Sequence, residues 1–368
     1  MKTLLQGDDN TRFFHLVANG KHRKQHIFIL EQEDGVIVGD IELKKYITNY
    51  YKNLFVQPDE NDISLVESRI DDIPQVTEIG NEILISAFTE IEVKEAAFQM
   101  EHNKAPGPDG FPAEFYQVFY GLIKDDLMAL FLDFFNEDLN LFSLNFGIIT
   151  LIPKTQKATK IQQYRLICVL NVSFKIFPKV GTNRLNKVAQ TMVSPTQTAF
   201  MPGGNIMEGV VILHETIHEL HTKKRDGVIL KIDFEKAYDK VKWSFLQQTL
   251  RMKGFSPKWC RWIEGMVTGG SVGIKVNDDI GPYFQTKRGL RQGDPMSPIL
   301  FNIVADMLAL LIKRAKVDGQ IRGVIPHLVD DGLSILQSAD DTIIFLDHVK
   351  ASRPSRYVSV INDNYYCD

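Results

Sequence analysis

Apolar and polar residues fall into blocks along this chain, and the length and period of each block sort it into helix or strand. Residues 1 to about 100 read as mostly helical, with one hairpin expected between Gln25 and Val38, turning at Glu33-Asp34-Gly35. Asn103 to Gly110 is a Pro- and Gly-rich loop, and Glu114 to Phe135 then carries helical periodicity. Phe146 to Ile152 and Ile167 to Leu170 are short apolar runs, read as a strand pair whose polar connection presents Lys154 and Arg165. A Gly-rich loop at Met201 to Asn205 leads into a helix reaching about Thr222, followed by a strand ending at Asp233. Trp243 to Met252 is a helix stopped by Gly254, and Ser256-Pro257 starts another by N-cap logic. Ser271 to Asn277 and Tyr283 to Thr286 form a hairpin through Asp278-Asp279-Ile280-Gly281, and Ser297-Pro298 caps a helix. That helix is expected to bury one face, made of Leu300, Ile303, Val304, Met307, Leu308 and Leu311. Leu333 to Leu336 and Ile343 to Leu346 close the pattern as a hairpin with Asp340-Asp341 at its turn. Helices and strands so mixed predict an α+β protein.

Composition narrows the class. With 368 residues, 44% hydrophobic and 24% charged, the chain has a globular balance and enough length for one long or two ordinary domains. Met1 to Phe14 has no continuous apolar run, and the most apolar later run, Ile299 to Ile312, contains Asp306 and is too short for a bilayer. Neither a signal peptide nor a membrane span is expected, so an intracellular protein is. Cys168, Cys260 and Cys367 are scattered and odd in number, which leaves no disulfide framework and no CxxC zinc pair. The formal net charge of -4 excludes a globally basic nucleic-acid binder, although Lys21 to Lys24, Lys223 to Arg225 and Lys313 to Lys316 are local basic clusters.

The chemistry lies in two acidic clusters, each at the end of an apolar strand. Asp233 opens Asp233-Phe234-Glu235-Lys236-Ala237-Tyr238-Asp239, and Asp340-Asp341 is walled by apolar residues. A carboxylate there is costly unless a cation meets it. Three gathered carboxylates would hold two hard, oxygen-seeking cations about 4 Å apart, Mg²⁺ or Mn²⁺, the arrangement that drives nucleotidyl transfer.

Seven segments occur in order: Lys104 to Gly110, Ile152-Pro153-Lys154, Tyr164-Arg165-Leu166-Ile167, Ser194-Pro195-Thr196-Gln197, Asp233 to Asp239, Gly289 to Pro298, and Ala339-Asp340-Asp341. In that order the chain resembles the reverse transcriptases of LINE-type (non-LTR) retrotransposons, plant members especially, over roughly residues 8 to 347. The resemblance implies a right-hand polymerase with palm and fingers, in which Asp233, Asp340 and Asp341 are the catalytic, metal-holding carboxylates. It implies that Lys154 and Arg165 grip the triphosphate of a deoxynucleotide, that Tyr238 lies below the incoming sugar, and that Phe234 also belongs to the substrate-binding set. Gln292-Gly293 would support the nascent base pair. The expected partners are an RNA template, a DNA primer and deoxynucleoside triphosphates.

Under this reading residues 1-95 precede the polymerase, 96-225 are fingers, 226-347 palm and 348-368 a divergent tail, with the thumb expected to be missing. Two positions depart from the family: Ser338 stands where an aromatic is usual, and Leu166 where proline is. Impaired activity is the expectation. The competing expectation is a catalytically inactive retroelement remnant that at most binds nucleic acid.

Two patterns compete with this reading. His214-Glu215-Thr216-Ile217-His218 fits HExxH, but His221, one turn further along the same helix, is poorly placed as a third zinc ligand. Asp330-Asp331-Gly332 mimics the acidic pair but reads as a structural turn.

Overall fold

A computed structural model describes residues 26–33, 35–56, 65, 67, 69–189, 191–201, 206–329 and 331–347. Lys21 to Lys24, most of the Gly-rich loop, Asp330 and the tail from residue 348 lie outside these. The N-terminal hairpin forms where the pattern placed it: β1 (Ile29–Gln32) pairs antiparallel with β2 (Gly35–Val38), Gln32 facing Gly35. Helix α1 (Asp40–Val56) buries Leu43, Ile47, Tyr51 and Phe55, a four-residue spacing that keeps one stripe inward.

Two short helices follow, each with a side-chain cap. Thr77 accepts from the Gly80 N–H at α2 (Glu78–Ile85), and Thr89 with Glu92 makes a capping box at α3 (Glu90–Phe98). Helices α4 (Ala113–Val118) and α5 (Tyr120–Phe135) bring Phe131 into the core, where its ring stacks on Phe177 with centroids 4.2 Å apart. Phe177 belongs to α6 (Val172–Ala189), which also carries the buried Arg184. That guanidinium donates to Glu92 and to the carbonyls of Leu84, Ser86 and Ala87, and so ties three helices together.

The predicted strand pair is β3 (Phe146–Pro153) with β4 (Tyr164–Leu170), antiparallel, Ile152 opposite Arg165. Arg165 therefore lies on β4 itself. After α7 (Ile206–Thr222) comes β5 (Gly227–Ile232), which ends one residue before Asp233. Helices α8 (Trp243–Met252) and α9 (Pro257–Val267) match expectation, with Ser256 capping the Trp259 N–H.

The expected hairpin from Ser271 is more elaborate than its pattern. Strand β6 (Ser271–Val276) pairs with both β7 (Asp279–Ile280) and β8 (Phe284–Gln285), and lies parallel to β3 along its other edge. The result is a five-stranded sheet ordered β4-β3-β6-β7, with β8 also on β6.

Helix α10 (Ser297–Val317) corrects two expectations. Ser297 is its first residue and makes no cap; the Asp294 carboxylate accepts from the Met296 N–H at 2.8 Å instead. Its burial is not one-sided. Ile299, Leu300, Ile303 and Val304 join the main core, Leu308 and Ile312 meet Ile335 and Ile344, and Met307 and Leu310 meet Ile73 and Met252. A helix clamped between three clusters buries residues all round. The last hairpin is β9 (Ile335–Ser338) with β10 (Asp341–Asp347), and β5 joins β10 to give a three-stranded antiparallel sheet ordered β5-β10-β9.

Candidate active site

Strand register brings the acidic clusters to one end of the three-stranded sheet. Thr342 pairs with Ile232 and Asp341 with Ser338, so the next step of the β5–β10 register sets Asp233 level with Asp341. Asp340 follows Ala339 in the turn between β9 and β10, where Ala339 takes the left-handed region at φ 56°. Asp233 and Asp341 are exposed, and side chains alternate along a strand, so Lys231 shares their face. Its ammonium is 3.4 Å from an Asp341 carboxylate oxygen. Among the described residues no three or more His, Cys, Asp or Glu side chains are gathered closely enough to hold a metal ion. The backbone therefore brings the carboxylates to one edge, while the side chain of Asp341 is turned to Lys231. As a donor set, three carboxylate groups suit hard cations such as Mg²⁺ or Mn²⁺.

The loop after β8 is stapled to this edge. Leu290 N–H donates to the Tyr238 carbonyl at 2.7 Å, Gly289 N–H to Val241 at 2.8 Å, and the Trp243 indole to Gly289 at 2.9 Å. Further on, Cys168 N–H donates to the Gln292 carbonyl at 2.7 Å. Gly293 has φ +122°, and a Cβ there would stand 2.3 Å from the Cys168 carbonyl oxygen, which leaves no room for any other residue. The Arg291 guanidinium, hydrogen-bonded to Asn145 and to the Met266 carbonyl, anchors the same loop from behind. Gln292-Gly293 is thus held between Tyr238 and strand β4. Tyr238 stacks on Phe301 with centroids 4.3 Å apart, and burial, then the charge of Asp340, push its phenol well up. Phe234 packs on the cluster of Leu308, Ile312, Ile335 and Ile344.

Lys154 and Arg165 are both exposed at the outer end of the β3–β4 pair, whose closing turn is fixed by the Lys154 N–H on the Gln163 carbonyl at 2.8 Å. Glu235 is held low first by its hydrogen bond to Lys240, with Lys236 and then Lys154 adding to it, and Lys154 also pulls against the rise of Asp239, so this cation lies near the segment after Asp233. Sequence reasoning missed the groups beneath it. Asp239 is buried, and desolvation drives its carboxyl up to about 7 against the pull of Lys236 and Lys154. Lys236, also desolvated, falls to about 8; it donates to the Tyr50 hydroxyl at 2.9 Å and lies over that ring at 4.2 Å. Tyr50 belongs to α1, in a region whose sequence carried no legible role. No local signal marks such a partnership.

The remaining patterns settle elsewhere. His214 is 80% exposed on α7, and Glu219 of that helix meets His327 at 2.7 Å. Asp331 and Gly332 occupy a left-handed turn at φ 62° and 76°. The Lys104–Gly110 loop docks on Asn171, whose carboxamide oxygen accepts the Asp109 N–H at 3.1 Å.

Residues 152–362, more than half of the chain, match the family model of the reverse transcriptases (RNA-dependent DNA polymerases). The chain belongs to the reverse transcriptase family. The match agrees with the order of motifs read from the sequence, which it covers from Ile152 onward. Among curated relatives, a 149 kDa protein of transposon TX1 from Xenopus laevis is 27% identical over 94% of this chain and 26% of its own length. The retrovirus-related Pol polyprotein of the type-2 retrotransposable element R2DM from Drosophila melanogaster is 27% identical over 71% of this chain and 23% of its own. A mitochondrial protein of Arabidopsis thaliana, AtMg01250, is 42% identical over 15% of this chain and 45% of its own. This reverse transcriptase chain spans about a quarter of the length of the TX1 and R2DM relatives. Among the described residues no helix is long and apolar enough to cross a membrane.

Proposed function

We propose that this chain carries the RNA-directed DNA polymerase site of a non-LTR retroelement, a nucleotidyltransferase extending a DNA primer on an RNA template. The observation that carries the reading is the register that levels Asp233 with Asp341 and sets Asp340 in the adjoining turn. In this reading the β5-β10-β9 sheet is the palm, within residues 226-347, and the β3–β4 pair belongs to fingers spanning residues 96-225. Asp233, Asp340 and Asp341 would hold two Mg²⁺ or Mn²⁺ ions. Such ions, when bound, lower the barrier to attack by the primer hydroxyl and neutralise the leaving phosphate.

The other roles follow from placement. Lys154 and Arg165, on the exposed end of the β3–β4 pair, would offer a point charge and a planar fork to the triphosphate. Tyr238, fixed by Phe301 and by the Leu290 amide, presents a rigid ring where a sugar would lie, and a 2′-hydroxyl would clash with it. Gln292-Gly293, held against strand β4 by Cys168, would support the nascent base pair from a fixed loop. Lys231 is the near cation of Asp341, and the two side chains would have to part for Asp341 to help hold an ion.

Thermal unfolding tests the metal site without turnover: Mn²⁺ is expected to raise the melting temperature of the wild type and to leave Asp340→Asn nearly unmoved. Equal shifts in both would show that the ion binds elsewhere. Primer extension on an RNA template then asks for catalysis, and a protein that binds metal yet never extends a primer would favour the inactive remnant.

A further inference from the structure

None of the roles above uses the motif Ser194-Pro195-Thr196-Gln197, which continues to Ala199. It runs as a strap between α10 and β9. Ser194 N–H donates to Asp306 at 2.8 Å, and Asn302 donates to the Ala199 carbonyl at 2.7 Å. On its other side Thr198 N–H donates to the Gln337 carbonyl and Gln337 N–H to the Thr196 carbonyl, both at 2.9 Å, a parallel bridge along the free edge of β9. At its centre Gln197 is 4% exposed. Its carboxamide oxygen accepts the Ala339 N–H at 2.8 Å, and its carboxamide nitrogen donates to the Ala339 carbonyl at 3.4 Å.

One side chain therefore satisfies both backbone groups of Ala339, the residue before Asp340. Ala339 is buried, and its left-handed backbone is strained for an alanine. Without a partner its N–H would also be a buried orphan. Only a side chain carrying donor and acceptor together, at this reach, holds the turn from one point.

We propose that Gln197 is a positioning residue for the acidic turn: it brackets Ala339 and sets the direction in which Asp340 leaves the backbone, so metal affinity depends on a side chain that touches no metal. This rests on the reading of Asp233, Asp340 and Asp341 as the metal site.

The test uses the full chain as wild type, Gln197→Met and Thr198→Val, with Asp340→Asn as reference. Thr198 is an equally buried polar residue of the same strap whose hydroxyl donates to the Gln337 carbonyl at 3.2 Å, away from the turn. Hydrogen exchange of the metal-free protein reads the clamp itself. Gln197→Met removes both bonds to Ala339 and the bond the same oxygen accepts from the Ala199 N–H at 3.3 Å, so exchange across Ser338 to Thr342 should accelerate by about tenfold or more in it, and little in Thr198→Val. Mn²⁺ titration, followed by water relaxation well below the melting temperature, reads the consequence: about tenfold weaker binding in Gln197→Met only.

Unchanged exchange in Gln197→Met overturns the clamp. Faster exchange with unchanged Mn²⁺ affinity overturns its role at the metal. Equal weakening in Thr198→Val reduces the effect to general loosening and also overturns it. A wild type that binds Mn²⁺ no better than Asp340→Asn refutes the metal site, and the exchange result then still decides whether Gln197 holds the turn.

Discussion

Burial governs Asp239 more than its charged neighbours do. Its carboxyl stands at about 7 instead of 3.8, so the folded state keeps its proton to a higher pH than the unfolded chain. The stability linked to that proton is complete below the unfolded value and is lost as the pH rises through the folded one. Between pH 4 and 7 the urea midpoint of the wild type should therefore fall relative to that of Asp239→Asn, by an amount equivalent to at most about 4 kcal/mol. Parallel pH profiles of the two proteins would refute the assignment. Gly293 invites a second comparison. Gly293→Ala forces a Cβ against the Cys168 carbonyl, while Gly110→Ala, at φ +78° with open space around it, meets only backbone strain. Urea titration should show a loss of about 1 kcal/mol for Gly110→Ala and well above 2 kcal/mol for Gly293→Ala. The sequence announced Gly293 as part of a motif but not its neighbour, because the Cys168 carbonyl arrives from a strand more than a hundred residues earlier.

Elements meet through polar residues that a hydrophobic pattern does not reveal. Lys253, at the end of α8, is fully buried and donates to Asp306 of α10 and to the Met192 carbonyl, each at 2.6 Å. Asp306 read as an interruption of an apolar run, whereas it receives α8 on one oxygen and the Ser194 strap on the other. Lys253→Met alone should cost about 3–5 kcal/mol by stranding the carboxylate, and Lys253→Met with Asp306→Leu should recover a large part of that. Additive losses in a double-mutant cycle would contradict this pairing. Strands and helices were legible as elements because period and caps are local. Which strands pair was legible only for hairpins, where a short turn dictates the partner. The parallel alignment of β3 with β6 leaves no such trace, and a two-residue strand such as β7 is too short for a period. That the acidic clusters end strands was legible from the apolar runs beside them, although Asp233, Asp340 and Asp341 are exposed and so carry none of the burial cost expected of them; the Tyr50–Lys236 contact was not, since each residue looks ordinary in its own segment.

At the scale of the molecule one apolar cluster runs from Ile27 to Ala305 and crosses position 95 without a break. Helix α1 is part of that core, and the Lys287 and Arg288 groups donate to the carbonyls of Phe55 and Leu54 at its end. A chain beginning at residue 57 should accordingly lose cooperative unfolding and bind hydrophobic dyes, as seen by melting and fluorescence; a sharp transition would show α1 to be dispensable. Net charge sets another expectation. At -4 overall, attraction to a primer-template must come from clusters such as Lys223 to Arg225, so affinity should be weak and should fall steeply between low and physiological salt. A salt-independent affinity would exclude phosphate contacts as its source.

The bond from Gln197 to Ala339 spans 142 residues of chain, and the β3–β6 alignment is almost as distant. Loops of that length close late, because the entropy of closure must be overcome before any contact rewards it. During synthesis the helices of the first half can form as they emerge, but the acidic turn stays without its clamp until Ala339 has been made. Folding from denaturant should therefore gain its helical signal early and its Mn²⁺ affinity last, in a slow phase whose rate reports the joining of the chain's two halves.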